Sequence, residues 1–337
     1  MKRSASLAVA AVVTAGTLTY ALWGADLGAL WQTLKGGRFW VLMPFLAVLA
    51  VFFISNAQRW GWMLRAFGRF PIPTLMPSMM IGFAANNLLP LRLGELIRAY
   101  LLAKDEGLSK SGVLMSLVLE RLLDLMGILV IYAVALALVP TAPAGFRASA
   151  WLAAAAVLGL GSALAAFVLL PRTINRLWDR LATRLPVALH ERGSIYLAQF
   201  EKALLPMRSP ATAALLVGYS IGRWLLAVAM AWLAIDAYAG AVTLPMAMIT
   251  IGITAFAVAL PSAPGFVGPM QAAFVFALTP FGIEQEAALA ASVLFLLGHW
   301  IPVTAVGALY LASRHLTFRE LAARADADAT VLTGPQR

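Results

Sequence analysis

Between Asn86 and Asp124 an apolar chain carries polar and charged residues suited to handling a phosphate-bearing group. Arg92 offers a planar fork for phosphate oxygens. Pro90 suits the first position of a helix, where free backbone N–H groups and the positive end of the dipole favour an anion. Asn86 and Asn87 either bind hydroxyls of a ligand or cap interrupted backbone. Glu95 and Arg98 are spaced to pair along one helix. Glu120 and Asp124 share a helix face with Arg121 between them. Either carboxylate could pair with Arg92 or Arg98, or take up a proton during transport, so a static network and a working site are both open readings. Arg223 and His299 stand alone in other apolar segments, each a cavity group or a packing residue. Charges in hydrocarbon are costly and usually face a protein interior or a wet cavity, which places the function here.

The elements that hold these residues must be membrane helices. The chain has 337 residues, of which 62% are hydrophobic and 12% charged, and a mean hydropathy of +0.86, more apolar surface than a soluble core hides. Its formal net charge of +10 comes from basic residues gathered in loops between apolar runs. That pattern is a positive-inside signal, and no nucleic-acid partner is expected. With zero cysteines there are no disulfides and no thiolate ligands. His190, His299 and His315 lack ligand spacing, so no metal is expected. The chain has no glycine-rich Gly-Lys-Ser/Thr phosphate loop. Neither a cofactor nor an enzymatic activity is expected.

In chain order, a first span runs over about 7–23, with a cleaved leader as the alternative reading. A second runs over about 39–57 and ends in Arg59, Trp60, Trp62, Arg65 and Arg69, a basic-aromatic cluster that reads as an interface anchor. The segment 74–103 has basic residues on both sides, including Arg98, Lys104 and Lys110. Its halves, 74–85 and 91–103, each reach only about 18–20 Å as helix against about 30 Å of hydrocarbon. They read as a re-entrant hairpin with its tip at Asn86 to Pro90. Spans follow at 111–139 and 150–170. The basic segment 171–208 reads either as an amphipathic helical pair drawn to anionic lipid at the cytoplasmic face or as a solvated loop. Residues 211–235 cross again. Residues 236–285 contain no lysine or arginine, and the apolar halves 244–260 and 269–281 flank a proline- and glycine-rich break. This is a second hairpin of opposite entry, or alternatively two full spans. A last span covers 287–312.

The expected fold is thus all-α: a polytopic inner-membrane bundle of six spanning helices and two re-entrant hairpins (74–103 and 244–281). It forms one domain over 1–315, with a cytoplasmic tail over 316–337 and both termini inside. Interrupted segments of opposite topology are the mark of an inverted-repeat transporter with a midplane site.

Four ordered motifs carry a resemblance. Arg59-Trp60 with Leu64, Asn86 to Pro90 with Arg92, Gly94-Glu95 and Arg98-Ala99, Glu120-Arg121 with Asp124, and Pro261 with Ala263-Pro264-Gly265 and Gly268 resemble the flippase-like domain family, the lysylphosphatidylglycerol synthase transmembrane region. The resemblance covers about residues 5–315. It implies a lipid flippase without the soluble aminoacyltransferase domain, acting on an anionic phospholipid or a polyprenyl-phosphate-linked lipid. It adds Pro264, Gly265, Gly268 and Gln271 to the candidate substrate-binding residues. Two departures stand out: Phe266 replaces a glycine of the family pattern Gly-Gly-x-Gly, and Gln271 stands near an expected glutamate. The alternatives are an accessory subunit presenting lipid to a glycosyltransferase or other lipid-modifying enzyme, and a head-group transferase using Glu95 or Asp124 as base.

Overall fold

A computed structural model describes residues 3–89, 93–139, 144–183, 186–240, 242–318 and 320–321, with side chains described from residue 8 and not at 144–148 or 188. The described chain is all-helical. Its helices are α1 (Arg3–Leu22), α2 (Leu27–Lys35), α3 (Leu42–Met63), α4 (Ile72–Leu88), α5 (Gly94–Asp105), α6 (Lys110–Leu138) and α7 (Ala144–Leu169), then α8 (Pro171–Ala182), α9 (Val187–Leu204), α10 (Pro210–Ala239), α11 (Leu244–Ala257), α12 (Pro269–Leu278) and α13 (Gln285–Ala312). Five segments, built on α3, α6, α7, α10 and α13, are long and apolar enough to cross a membrane. The pair α1 and α2, bent by 84°, makes up to six. The protein is a multi-pass membrane protein.

Local chemistry sets the ends of these helices. Asp26 Oδ1 accepts from the Gly28 and Ala29 N–H groups at 2.7 and 3.1 Å and starts α2. Ser109 and Ser209 open α6 and α10 in the same way, and Gly240 closes α10 at φ 69°.

α13 organises the bundle. α4 lies antiparallel on its second half, because Asn87 reaches Thr304 while Met80 and Ala84 face Gly307. α12 lies on its first half, where the Phe274 and Phe295 rings stand 5.6 Å apart. Two helix pairs, α4 with α5 and α11 with α12, therefore approach α13 from its two ends and meet near Trp300. Their arms have 17, 12, 14 and 10 residues, at most about 26 Å of helix and short of about 30 Å of hydrocarbon.

The first arm differs from the sequence reading, which stops it at residue 85. The helix continues through Asn86 and Asn87 to Leu88, since both amides find partners without breaking it. Asn86 Oδ1 accepts from the Gly94 N–H at 2.8 Å, which starts α5, and Asn87 Nδ2 donates to Thr304 Oγ1 at 2.9 Å. α1 is part of this architecture too. Its Thr14 hydroxyl accepts from the Ala263 N–H at 2.8 Å inside the break between α11 and α12, and Gly268 packs against Thr14 and Thr17.

The contact of α4 with α13 depends on Gly307. A Cβ there would stand 2.5 Å from the Met80 carbonyl oxygen, a backbone atom with little room to yield. Gly307→Val is expected to cost about 1–3 kcal/mol by overpacking. Gly159→Val, on α7 with open space around it, should leave stability nearly unchanged. Thermal unfolding midpoints in detergent distinguish the two; equal midpoints would contradict this packing.

Candidate functional site

α6 carries Glu120, Arg121 and Asp124 into the bundle, where they form a charged cluster with side chains of α3, α5 and α10. Arg59 of α3, fully buried, sits 2.5 Å from Asp124 Oδ1 and 3.7 Å from Glu120 Oε1. Its remaining donors reach Ser220 Oγ at 3.0 Å and Asn56 Oδ1 at 3.1 Å. Arg98 of α5 holds both oxygens of Glu120 at 3.1 Å, its guanidinium stacked 3.7 Å from the Trp60 ring. Trp60 in turn donates to Ser116 of α6 at 3.1 Å. Arg121 lies 3.2 Å from Glu120 and 3.5 Å from Glu95, with its side chain 40% exposed. Arg223 of α10 stands 3.4 Å from Asp124, and its Nε and Nη1 make no hydrogen bond among the described residues. Among the described residues, four guanidinium groups (59, 98, 121, 223) stand against three carboxylates (95, 120, 124), an excess of one positive charge.

Above this cluster the two breaks meet. Trp300 Nε1 donates to the Asn87 carbonyl at 3.4 Å, and Gly265 lies against both residues. A Cβ on Gly265 would be 3.0 Å from Trp300 Nε1, and its φ of 78° is left-handed. Phe266 follows at φ 60°, a conformation that costs a bulky L-residue about 1–3 kcal/mol.

The end of α4, the turn at Gly265 and the cluster line one cavity of about 340 Å³, a size ordinary for ligand sites. Asn86, Asn87, Glu95, Arg121, Asp124, Arg223, Gly265 and His299 line it, among aromatic walls that include Phe52, Phe83, Phe266 and Trp300. Two arginines and two carboxylates of the lining balance; Arg59, Arg98 and Glu120 behind them supply the extra positive charge. The cavity has an exposed edge. α5 pairs with α6 at Glu120 and Arg121, and α11 packs on the far part of α6, where Gly252 meets Tyr132. Between them Arg121 and Leu125, with Phe256 and Ala259 at the end of α11, line the cavity and also reach the surface. A chamber with charged residues on one side, otherwise mostly apolar walls and an apolar side opening can take a charged group while leaving a hydrocarbon tail outside.

The structure corrects the sequence reading of this site in two ways. Arg59 and Trp60 are not interface anchors: both are fully buried, because α3 continues as helix to Met63 and turns them toward α6. Arg98, offered by the sequence as a partner for Glu120 or Asp124, is buried against Glu120. Glu95 and Arg98 do not pair with each other, because Arg121 draws Glu95 and Glu120 draws Arg98. Pro90 and Arg92 lie outside the described residues. His299 is packed among Phe52 and Phe53 at 6.5 and 5.8 Å on the cavity wall. Gln271 accepts from the Gly268 N–H at 2.8 Å and thereby starts α12, away from the chamber, and Pro264 sits exposed in the turn before Gly265. The signal that pointed to Arg59 was its place within the residue series of the resemblance; its local neighbours pointed the other way.

The family model described as "Lysylphosphatidylglycerol synthase TM region" matches residues 5–307. No curated protein matches the chain.

Breaking a buried ion pair from one side strands the other charge, at about 3–5 kcal/mol. Arg59→Leu removes the nearest of the three arginines around Asp124 and is expected to be destabilising by up to that amount. Arg121→Gln, half-exposed, should stay within about 1 kcal/mol of the parent. Comparison of their unfolding midpoints in detergent checks this; a tolerated Arg59→Leu would show that the cluster is not what holds α3, α6 and α10 together.

Proposed function

The chain belongs to the lysylphosphatidylglycerol synthase transmembrane region family, a membrane lipid-related family, and from that premise we propose that it translocates a lipid with an anionic, phosphate-bearing head group between leaflets. The observation that carries this reading is the cavity. A group leaving water for the bilayer interior loses several kcal/mol of hydration, and this chamber offers arginine and asparagine donors in its place. The excess of positive charge among the described residues of the cluster favours an anionic cargo. Arg223, which lines the chamber and has two buried N–H donors without a hydrogen bond among the described residues, is the group that would hold a phosphate oxygen. The opening beside Leu125 would let acyl chains stay in hydrocarbon during the passage.

Two short helix pairs that meet at the middle of α13 from its opposite ends support alternating access around a midplane site. In this reading each pair is a re-entrant hairpin. The α4–α5 hairpin enters from the cytoplasm and the α11–α12 hairpin from outside, with both termini cytoplasmic in the inner membrane. α8 presents Arg172, Arg176 and Arg180 on one face, with exposed Leu177 and Leu181 beside them. That pattern suits anionic lipid at the cytoplasmic surface. Movement would be downhill, driven by a gradient, or coupled to a partner enzyme that makes or consumes the lipid. The protein acts in this account as a transporter and not as an enzyme.

Purified protein in phosphatidylcholine vesicles is expected to bring labelled phosphatidylglycerol from the inner leaflet to an external quencher faster than protein-free vesicles do. Arg223→Gln should slow this by about tenfold or more, on the scale of a hydrogen bond to a charged group. Arg69→Gln, exposed outside the cluster, should not. Equal rates with and without protein contradict the proposal. The topology has its own check, free of background because the chain has no cysteine. Ser109→Cys should react with an impermeant thiol reagent only from the cytoplasmic side and Ala239→Cys only from outside. Reaction from the same side removes the opposed hairpins.

A further inference from the structure

The break between α11 and α12 contains two successive residues in the left-handed region, Gly265 at φ 78° and Phe266 at φ 60°. Gly265 is explained by its surroundings: both its φ and the nearness of Trp300 require the absence of a side chain. Phe266 is not explained in this way. A glycine would adopt the same backbone freely, whereas phenylalanine there is an outlier that persists only where its surroundings hold it. Something about the ring must offset the strain.

The ring stands in the wall of the candidate site. Phe266 is half-buried, packs against the core, and forms part of the wall of the same cavity that Arg121, Asp124 and Arg223 line. With Phe52, Phe83 and Trp300 it adds rigid apolar bulk to a chamber of only about 340 Å³. A ring in that wall does nothing for a phosphate, but it takes up space beside one.

We propose that Phe266 is a specificity-determining residue that limits the size of the head group the cavity accepts, admitting a compact phosphate-bearing head group and excluding one that carries a sugar or a cyclitol. This inference rests on the lipid-handling reading above and narrows it. Backbone strain at the tip is retained because the ring must stand at that point of the wall.

The test uses two lipids of equal charge and unequal head-group size, phosphatidylglycerol and phosphatidylinositol, at equal trace levels in phosphatidylcholine vesicles. Two ratios of phosphatidylinositol to phosphatidylglycerol are measured: the ratio translocated, and the ratio retained on the protein through detergent purification, read by mass spectrometry. Phe266→Ala and Phe266→Gly should raise both ratios by about tenfold, the scale of steric discrimination in an apolar pocket. Phe266→Leu, which keeps most of the bulk, should stay near the parental ratio and serves if the smaller variants do not fold. Phe266→Gly should also melt above Phe266→Ala, since both lack the ring but only glycine is free of the strain. Unchanged ratios with glycine still the more stable would reduce the ring to a packing role and overturn the inference. Equal melting of the two variants would overturn its premise of strain. Should the parent protein move neither lipid, the transport reading fails, and the retained ratio alone decides the role of Phe266.

Discussion

The contact of Asp124 with Arg59 is the interaction on which the rest of the structure depends. Both groups are inside the bundle, at 2.5 Å from each other, and neither could stay there alone. Pairing them brings α3 to α6. The remaining valences of each then recruit the other helices: Arg59 reaches Ser220 of α10 and, through Glu120, meets Arg98 of α5. Such a cluster is a poor way to gain stability, since well-packed apolar residues often do as well. Its presence in an otherwise apolar interior is therefore an argument about function. The half-helix α5 and three long helices are held in one register by charges that also form the floor of a chamber.

A second constraint acts on the backbone. Each helix pair has arms that end beside the chamber, where the N–H and C=O groups freed at a helix end need partners. The structure answers this locally. Asn86 takes the Gly94 N–H, the Thr14 hydroxyl takes that of Ala263, Gln271 takes that of Gly268, and the Asn87 carbonyl accepts from Trp300. Those partners come from α1, α4, α12 and α13, so the tips are fastened to the bundle on several sides. The cavity occupies the space between the fastened tips and the charged floor.

Much of this was legible in the sequence. Periodicity and charge placement marked the long helices, and interrupted apolar runs marked both short pairs. The costly residues Glu120, Arg121, Asp124 and Arg223 stood out because the segments around them are apolar. Less legible was anything set by which way a helix end turns. Arg59 follows an apolar run and sits among tryptophans and arginines, the composition of an interface; only the continuation of α3 to Met63 shows that this face points inward. Glu95 and Arg98 are spaced to pair along one helix, but an opposite charge on the next helix draws each away, and for Arg98 that carboxylate partner is one the sequence offers. α2 was missed, although Asp26 before Leu27 is an ordinary N-cap signal, because the helix is short and follows a complete span. Phe266 stood out in the sequence only as a departure from a glycine pattern, and its left-handed backbone gives that departure its physical meaning.

The central claim is that the chamber between the helix-pair tips holds the phosphate of a membrane lipid. The most direct measurement is a structure of the protein in nanodiscs made from native lipid extract, at a resolution that separates a head group from ordered water. The account predicts a phosphate within hydrogen-bonding distance, about 3 Å, of the Arg223 guanidinium, with acyl chains leaving past Leu125. A chamber filled only by water, with Arg223 closed onto Asp124 and lipid confined to the outer surface of the bundle, would contradict it.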